Sequence, residues 1–329
     1  MAMNKDEAII REFPDRGTLW LLESPENVRG LIRLLAHDLA DQLDFAHAER
    51  INRSLVPADL HKQEADLIYR VPFLADGHDV LVYLLLEHQS TVDRFIGMRL
   101  ISYMSKLWEA QYRAWDDNHT PAGERNLSPI VPIVFYTGKQ RWQQSMTLDA
   151  AMELPEALSG FVPRHDTLCL KLLDMPSDAL TGSAIALVLR VLQAEDAPLE
   201  EFSPLLSSII AGLEALSPEH QAEWHRALHY LLLLILHRRD AIERNDLYGV
   251  VKESVSRQHQ EEVEQMVYSS AQAYKDEGRA ETLIELLECK FGPLPARIPS
   301  VIRALPPARL QELTRQIMLA QTLVDLHLD

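Results

Sequence analysis

The stretch EADLIYRVPFLADGHDVLVYLLLEHQS, residues 64–90, decides the fold of this chain. Two strand-like runs, Leu67–Val71 and Val80–Leu86, flank a turn that contains Asp76 and Gly77. This arrangement predicts a β-hairpin. The second run is almost entirely apolar, which is typical of a central strand buried on both faces.

Each strand of the predicted hairpin carries an acidic residue at the same end. Asp66 begins the first strand and Glu87 ends the second. A charge at the end of a buried strand is costly, so we expect a group that compensates it. Because side chains alternate along a strand, Glu87 and Gln89 belong to one face and His88 to the other. The candidate functional residues of the hairpin are therefore Asp66, Glu87 and Gln89.

The segments on either side of the hairpin predict an α/β domain. Periodic apolar residues predict a helix over 27–52, with Ser24 as its N-cap, and a second helix over 95–108. The β-branched run Pro129–Tyr136 predicts a third strand. Strand, helix and strand in this order form a right-handed parallel crossover, so we expect the third strand to run parallel to the Glu87 strand.

From about Leu180 onward, Leu and Ala recur at helical spacing and strand signals nearly vanish. We predict helices over 184–192, 201–215, 221–238, 251–287 and 307–326. The predicted domains are an N-terminal extension (1–24), an α/β domain (25–180), a helical region (181–250), a connecting helix (251–278) and a small helical domain (279–329). The apolar seam along 251–287 leaves two possibilities open, namely packing within the chain and a homo-oligomer formed through the C-terminal helices.

Composition and charge restrict the class of protein. The apolar content of 47% is that of an ordinary soluble protein, and the net charge of -17 counts against tight, sequence-independent DNA binding unless a basic patch or bound cations offset it. Cys169 and Cys289 are too few and too far apart for a disulfide framework, and no run approaches the roughly 20 apolar residues of a membrane span. The N-terminus shows no export signal. We expect a cytoplasmic protein without a membrane segment.

The chain resembles a known family in four stretches, which are Asp66 with LLLEHQS at 84–90, Met98–Leu100, Tyr103, and PIVPIVFYTGKQRW at 129–142. They are similar to the Rpn family of recombination-promoting nucleases, also described as transposase-like, within the PD-(D/E)XK nuclease superfamily. The resemblance covers roughly residues 25–180. It implies a restriction-endonuclease-like α/β core, with a small mixed sheet flanked by helices. Residues 289–326 resemble the small helical domain that often follows such cores, so an all-α C-terminal region is expected.

The resemblance implies a DNA endonuclease that depends on Mg²⁺ or Mn²⁺ and is related to recombination or transposition. Asp66 and Glu87 would bind the metal, the main-chain carbonyl of His88 would add a ligand, and Gln89 would complete the catalytic set. Mg²⁺ favours one or two carboxylates with waters and phosphate oxygens, which agrees with this pair. Gln89, however, stands where the superfamily has Lys, and its neutral amide can only orient water or donate a hydrogen bond. The alternative is a catalytically weak or inactive protein of this fold that acts as an interaction or DNA-end-binding factor.

Further candidates lie outside the hairpin. The family tends to keep an acid on the leading helix, and Asp44 is the candidate for this additional metal ligand, with Asp38 and Asp41 as rivals. Tyr136 and Lys139 lie at the end of the third strand, where they are candidates for substrate binding. Lys139 could partly replace the missing strand lysine, and the competing interpretation is a solvated surface lysine.

Overall fold

The structure is a computed structural model that describes residues 13, 17–51, 66–87, 93–138, 141–143, 145–216, 218–295 and 297–327. For residues 66, 85–87, 273 and 277 it describes the main chain alone. The chain divides into two compact units. One is Thr18–Leu228, and the other combines His229–Asp329 with Met1–Gly17.

A mixed five-stranded sheet forms the centre of the unit Thr18–Leu228. In chain order, the strands are β1 (Glu49–Arg50), β2 (Asp66–Pro72), β3 (Asp79–Glu87), β4 (Ile130–Tyr136) and β5 (Leu168–Lys171). Their order in the sheet is the same as in the chain. The pairs β1–β2 and β2–β3 are antiparallel, whereas β3–β4 and β4–β5 are parallel. The hairpin and the parallel third strand are therefore both confirmed.

The helices of the same unit are α1 (Pro25–Leu35), α2 (His37–Ala40), α3 (Ile96–Asp117), α4 (Ala184–Gln193), α5 (Leu199–Glu214) and α6 (Gln221–Arg238), the last of which continues past Leu228. Ser24 caps α1 as predicted, because its Oγ accepts a hydrogen bond from the Asn27 main-chain N–H at 3.4 Å and Pro25 occupies the first turn. The unit includes α4 and α5, which the sequence-based division placed in a separate helical region. Helix α4 belongs to this unit because it packs closely against α1. A Cβ added to Gly30 on α1 would lie 2.6 Å from Ile185 on α4.

The single helix predicted over 27–52 is wrong: α1 ends at Leu35, the short helix α2 follows, and helical structure does not continue to the end of the predicted range. Ala36 leaves the helical region, with φ -152° and ψ 74°, and residues 49 and 50 instead form the edge strand β1. Residues 49 and 50 are extended because they pair with β2: Glu49 aligns with Arg70, and Arg50 aligns with Tyr69. The four-residue strand β5, which completes the sheet, was not predicted from the sequence.

The two faces of the sheet are covered by different elements. Helix α3 covers one face and packs its apolar side on residues of β2, β3 and β4; this cluster includes Ile96, Leu100, Tyr103, Leu107, Ile68, Leu81, Tyr83, Val134 and Tyr136. On the opposite face, the Tyr69 hydroxyl donates a 2.8 Å hydrogen bond to the Leu22 carbonyl. Burial raises the pKa of Tyr69 to about 12, so this phenol stays neutral.

The second unit is helical over its described residues. After α6 come α7 (Arg244–Ser254), α8 (Gln260–Phe291), α9 (Arg297–Arg303) and α10 (Pro307–Gln316). The single helix predicted over 251–287 is interrupted because Val255 adopts an extended backbone. Helix α8 ends at Gly292, whose φ is +81°, and α10 ends before the predicted Leu326. Of the helices described, none is long and apolar enough to span a bilayer.

Candidate functional site

The strand register brings Asp66 and Glu87 to the same end of the hairpin. Asp66 is directly opposite Leu85, and Glu87 is two residues further along β3. Opposed residues share a face, as do residues two apart on one strand, so Asp66 and Glu87 occupy the same face. Such diagonal neighbours are about 7–8 Å apart, which is within reach of long side chains. The main chain thus places the two acids where one cation could be held between them.

This face of the sheet is the one that α3 covers. Ile96, Leu100 and Tyr103 of α3 join the cluster on it, and the Tyr83 and Tyr103 rings are 5.5 Å apart. At the start of α3, Arg99 Nη1 donates a 3.0 Å hydrogen bond to Asp93 Oδ2. Helix α3 therefore packs firmly on the face of the sheet to which the two acids belong.

Tyr136 lies next to Glu87 in the parallel β3–β4 register. Its side chain is only 2% exposed and packs edge-to-face on Trp142, with ring centroids 5.0 Å apart. Gly138 closes this arrangement, because an added Cβ would lie 2.4 Å from the Tyr136 hydroxyl oxygen. Tyr136 thus packs beside the strand positions of the acids, and its role in substrate binding stays a prediction.

Lys171 is the residue at this end of the sheet that the sequence analysis did not identify. It aligns with Tyr136, which in turn aligns with Glu87, so the three form one row across β3, β4 and β5. The alternation of Thr167, Cys169 and Lys171 with apolar residues was the available signal, but a four-residue strand is too short for periodicity to distinguish it from a loop.

Asp44 lies at the opposite end of the hairpin. Its main-chain N–H donates a 2.8 Å hydrogen bond to the Pro72 carbonyl, at the end of β2 that is remote from Asp66. Six residues of strand separate Pro72 from Asp66, a span of about 20 Å. The structure does not bring Asp44 to the acid pair, because the leading helix ends early and the following chain joins the turn end of the hairpin.

The Asp44 carboxylate also has partners of its own. It accepts a hydrogen bond from the Ala46 main-chain N–H at 3.2 Å, and its Oδ2 lies 2.7 Å from His47 Nδ1. These hydrogen bonds, with His47 the larger contributor, hold the pKa of Asp44 below its ordinary value. Its rivals are also engaged elsewhere: Asp41 pairs with Arg33 at 3.2 Å, and Asp38 lies 3.8 Å from the His37 ring.

Three of the predicted site residues, His88, Gln89 and Lys139, lie outside the described residues. Among the side chains that the structure does describe, no three from His, Cys, Asp and Glu come together as a metal site. Asp66 and Glu87 are described by their main chain only, so the predicted metal site is supported here by their strand positions and by the chemistry of two carboxylates alone.

A mixed sheet with flanking helices, followed by an all-α region, is the architecture of an α/β nuclease-like core with a helical tail. The chain belongs to the family described as "Putative transposase, YhgA-like", whose model matches residues 18–223. Those residues include the whole sheet and α1–α5.

One curated relative is the recombination-promoting nuclease RpnA of Escherichia coli (strain K12), which is 29% identical over 85 residues. The match covers 26% of this chain and 26% of that protein, so it spans about a quarter of the relative's length. No solved structure matches the chain.

Proposed function

We propose that this protein is a DNA endonuclease that uses Mg²⁺ or Mn²⁺ and acts in recombination or transposition. The observation that carries the proposal is the β2–β3 register, which sets Asp66 and Glu87 on one face at one end of the hairpin. Family membership supports it, since this family is described as transposase-like and the RpnA relative is named as a recombination-promoting nuclease.

In this proposal, Asp66 and Glu87 supply the two carboxylates that hold the metal, with the His88 carbonyl as a further ligand. A bound Mg²⁺ supplies positive charge that polarises the scissile phosphate and makes a neighbouring water more acidic. The reaction is hydrolysis: the oxygen of a water bonds to phosphorus and loses a proton, the bond from phosphorus to the leaving sugar oxygen breaks, and that oxygen takes up a proton to leave as a hydroxyl. Gln89 orients the water through its amide.

DNA is the proposed partner, and the cytoplasm is the proposed location. The two cysteines, Cys169 and Cys289, are both free thiols, which agrees with a reducing compartment. Self-association through the C-terminal helices stays a prediction.

A plasmid cleavage assay tests the proposal. Purified protein should nick or linearise plasmid DNA with Mg²⁺ or Mn²⁺, and EDTA should stop the reaction. Asp66→Ala and Glu87→Ala should each abolish cleavage while leaving the thermal unfolding transition in place. Activity that survives both substitutions would overturn the assignment of the site.

A second candidate function is DNA-end binding or protein interaction without cleavage. It is favoured by the neutral Gln89 where the superfamily has Lys and by the net charge of -17. The same assay separates the two, because a folded protein that binds a DNA duplex but leaves plasmid intact with either metal would support the second candidate.

A further inference from the structure

Lys171 ends β5 in the same row as the proposed metal site. The register aligns Glu87 with Tyr136 and Tyr136 with Lys171, and aligned residues of parallel strands share a face. Two strand spacings separate the main chains of Glu87 and Lys171, a distance of about 10 Å. The cationic residue Lys171 therefore lies two strands from Glu87, on the face of the sheet that α3 covers.

The ammonium group of Lys171 is held by a residue of the segment that follows β4. Its Nζ donates a hydrogen bond to the Trp142 carbonyl at 2.5 Å, and Trp142 is 1% exposed and packed against Tyr136. Among the described residues, no carboxylate forms an ion pair with Lys171. The neighbouring Asp174 lies 4.0 Å from Arg141 instead. Lys171 thus has a fixed position and two further N–H donors to offer.

A small recess lies beside these groups. Its volume is about 10 Å³, and its lining includes Tyr136, Arg141, Trp142, Lys171 and Asp174. Such a volume holds about one water-sized group. The indole N–H of Trp142 is a buried donor that has no hydrogen-bond partner among the described residues. Two cationic side chains and a single carboxylate therefore line the recess, and the buried indole belongs to a residue of the same lining, a set that suits one oxygen atom of an anion.

We propose that Lys171 binds a non-bridging phosphate oxygen of the DNA backbone next to the metal site, with Arg141 beside it. The inference rests on the proposed function for the identity of the ligand. The contact would also offset the repulsion between DNA and an acidic protein. A protein with a net charge of -17 needs a local cation where the phosphate backbone approaches its acids. Lys171 is a substrate-binding residue in this proposal, and it compensates in part for the neutral Gln89.

The test is the salt dependence of DNA binding, measured by fluorescence anisotropy with a short labelled duplex and with EDTA present so that the duplex stays intact. Each phosphate contact contributes about 0.9 to the slope of log K against log salt. Lys171→Gln should therefore lower this slope by about 1 and weaken binding a few-fold at about 0.1 M salt. Lys171→Arg should keep the slope, because it keeps the charge.

Lys290 provides a matched control in the helical unit. Its Nζ also donates a 2.5 Å hydrogen bond to a main-chain carbonyl, that of Ile317. Lys290→Gln should lower the unfolding temperature about as much as Lys171→Gln but leave the salt slope unchanged. Equal slopes for wild type, Lys171→Gln and Lys290→Gln would overturn the proposal and leave Lys171 with a structural role alone.

A footprint on the unmodified protein covers the case in which Lys171→Gln fails to fold. Acetic anhydride labels lysines, and mass spectrometry should show that duplex DNA protects Lys171 but not Lys290. Equal labelling of Lys171 with and without DNA would overturn the proposal.

The outcomes also separate this inference from the proposed function. Cleavage by wild type with an unchanged Lys171→Gln slope would remove the Lys171 contact and keep the nuclease. A lowered slope in a protein that never cleaves would keep the contact and remove the nuclease.

Discussion

The two ends of the β2–β3 hairpin both carry acidic residues, but they are assembled in different ways. At the turn end, Asp76 accepts a 3.0 Å hydrogen bond from the His78 main-chain N–H, and Asp79 lies 3.4 Å from Arg70 on the neighbouring strand. At the other end, Asp66 and Glu87 are separated by the whole length of the hairpin, and only the register places them on one face.

This difference separates acids that have a structural role from acids that form a candidate site. The acids at the turn end have local partners, so their positions are explained by turn chemistry and by cross-strand ion pairs. Glu87 shares a row with Tyr136 and Lys171, which belong to strands that come later in the chain, and Asp66 is its diagonal neighbour on the same face. These residues, drawn from four strands, come together through strand register and not through local turn chemistry.

The largest expected effect is on cleavage. Asp66→Asn and Glu87→Gln should each lower the Mg²⁺-dependent nicking rate by at least about 100-fold, since even outer-shell partners of metal ligands cost 10–100-fold. Asp76→Asn and Asp79→Asn, at the turn end, should leave the rate unchanged. Initial rates of plasmid nicking measure both. If Asp79→Asn lost as much activity as Glu87→Gln, the contrast between the two ends would be lost.

The second effect concerns the helix that covers the acidic end. Leu100 on α3 is fully buried, so Leu100→Ala should lower the free energy of unfolding by about 2–5 kcal/mol. Met98 on the same helix is 52% exposed, and Met98→Ala should change stability by less than about 0.5 kcal/mol. Urea denaturation of the two variants measures the free energy of unfolding of each. Similar losses would show that α3 does not pack on the sheet through Leu100.

A smaller effect is expected at the turn. Gly77 has φ +73°, and an added Cβ would meet nothing within 4 Å, so Gly77→Ala should cost about 1–2 kcal/mol through backbone conformation alone. Gly123 also has open space around an added Cβ but lacks a positive φ, which makes Gly123→Ala the matched control. It should leave stability the same or raise it by up to about 1 kcal/mol. Chemical denaturation would contradict the prediction if Gly123→Ala were the more damaging change.

The smallest effect is a titration at the turn end. The hydrogen bond from His47 holds the pKa of Asp44 below the ordinary value of 3.8, so its contribution to stability is present above that value and is lost as the pH falls through the lowered pKa. His47→Ala should raise the pKa of Asp44 towards 3.8. NMR titration of the Asp44 carboxyl carbon measures this shift. An unchanged midpoint in the variant would mean that His47 is not the partner.

Much of the α/β core was predictable because its signals are local. The alternating and apolar runs predicted β2, β3 and β4, and Ser24 followed by Pro25 predicted the start of α1. The end of α1 was not predictable from periodicity, because the apolar spacing continues past Ala36, where the backbone leaves the helix, and residues 49 and 50 pair with β2 instead. Tertiary contacts of this kind override helix propensity, which is a weak local preference.

The candidate site shows the same division. Asp66 and Glu87 could be selected from sequence, since a charge at the end of a buried strand is costly and invites a partner. Asp44 was selected by its place on an expected helix. In the structure that helix ends at Leu35, and Asp44 lies at the other end of the hairpin. Lys171 could not be selected at all, because nothing near it in sequence indicates its alignment with Tyr136.

The sequence by itself determined the hairpin, the position of an acid at the end of each strand, and the helical character of the C-terminal region, because these depend on residue alternation and on spacing within a few positions. Only the tertiary structure decided which residues of β4 and β5 lie on the same face beside those acids. Strand register is set by pairing between distant segments, and a shift of one residue would move Asp66 and Glu87 to opposite faces.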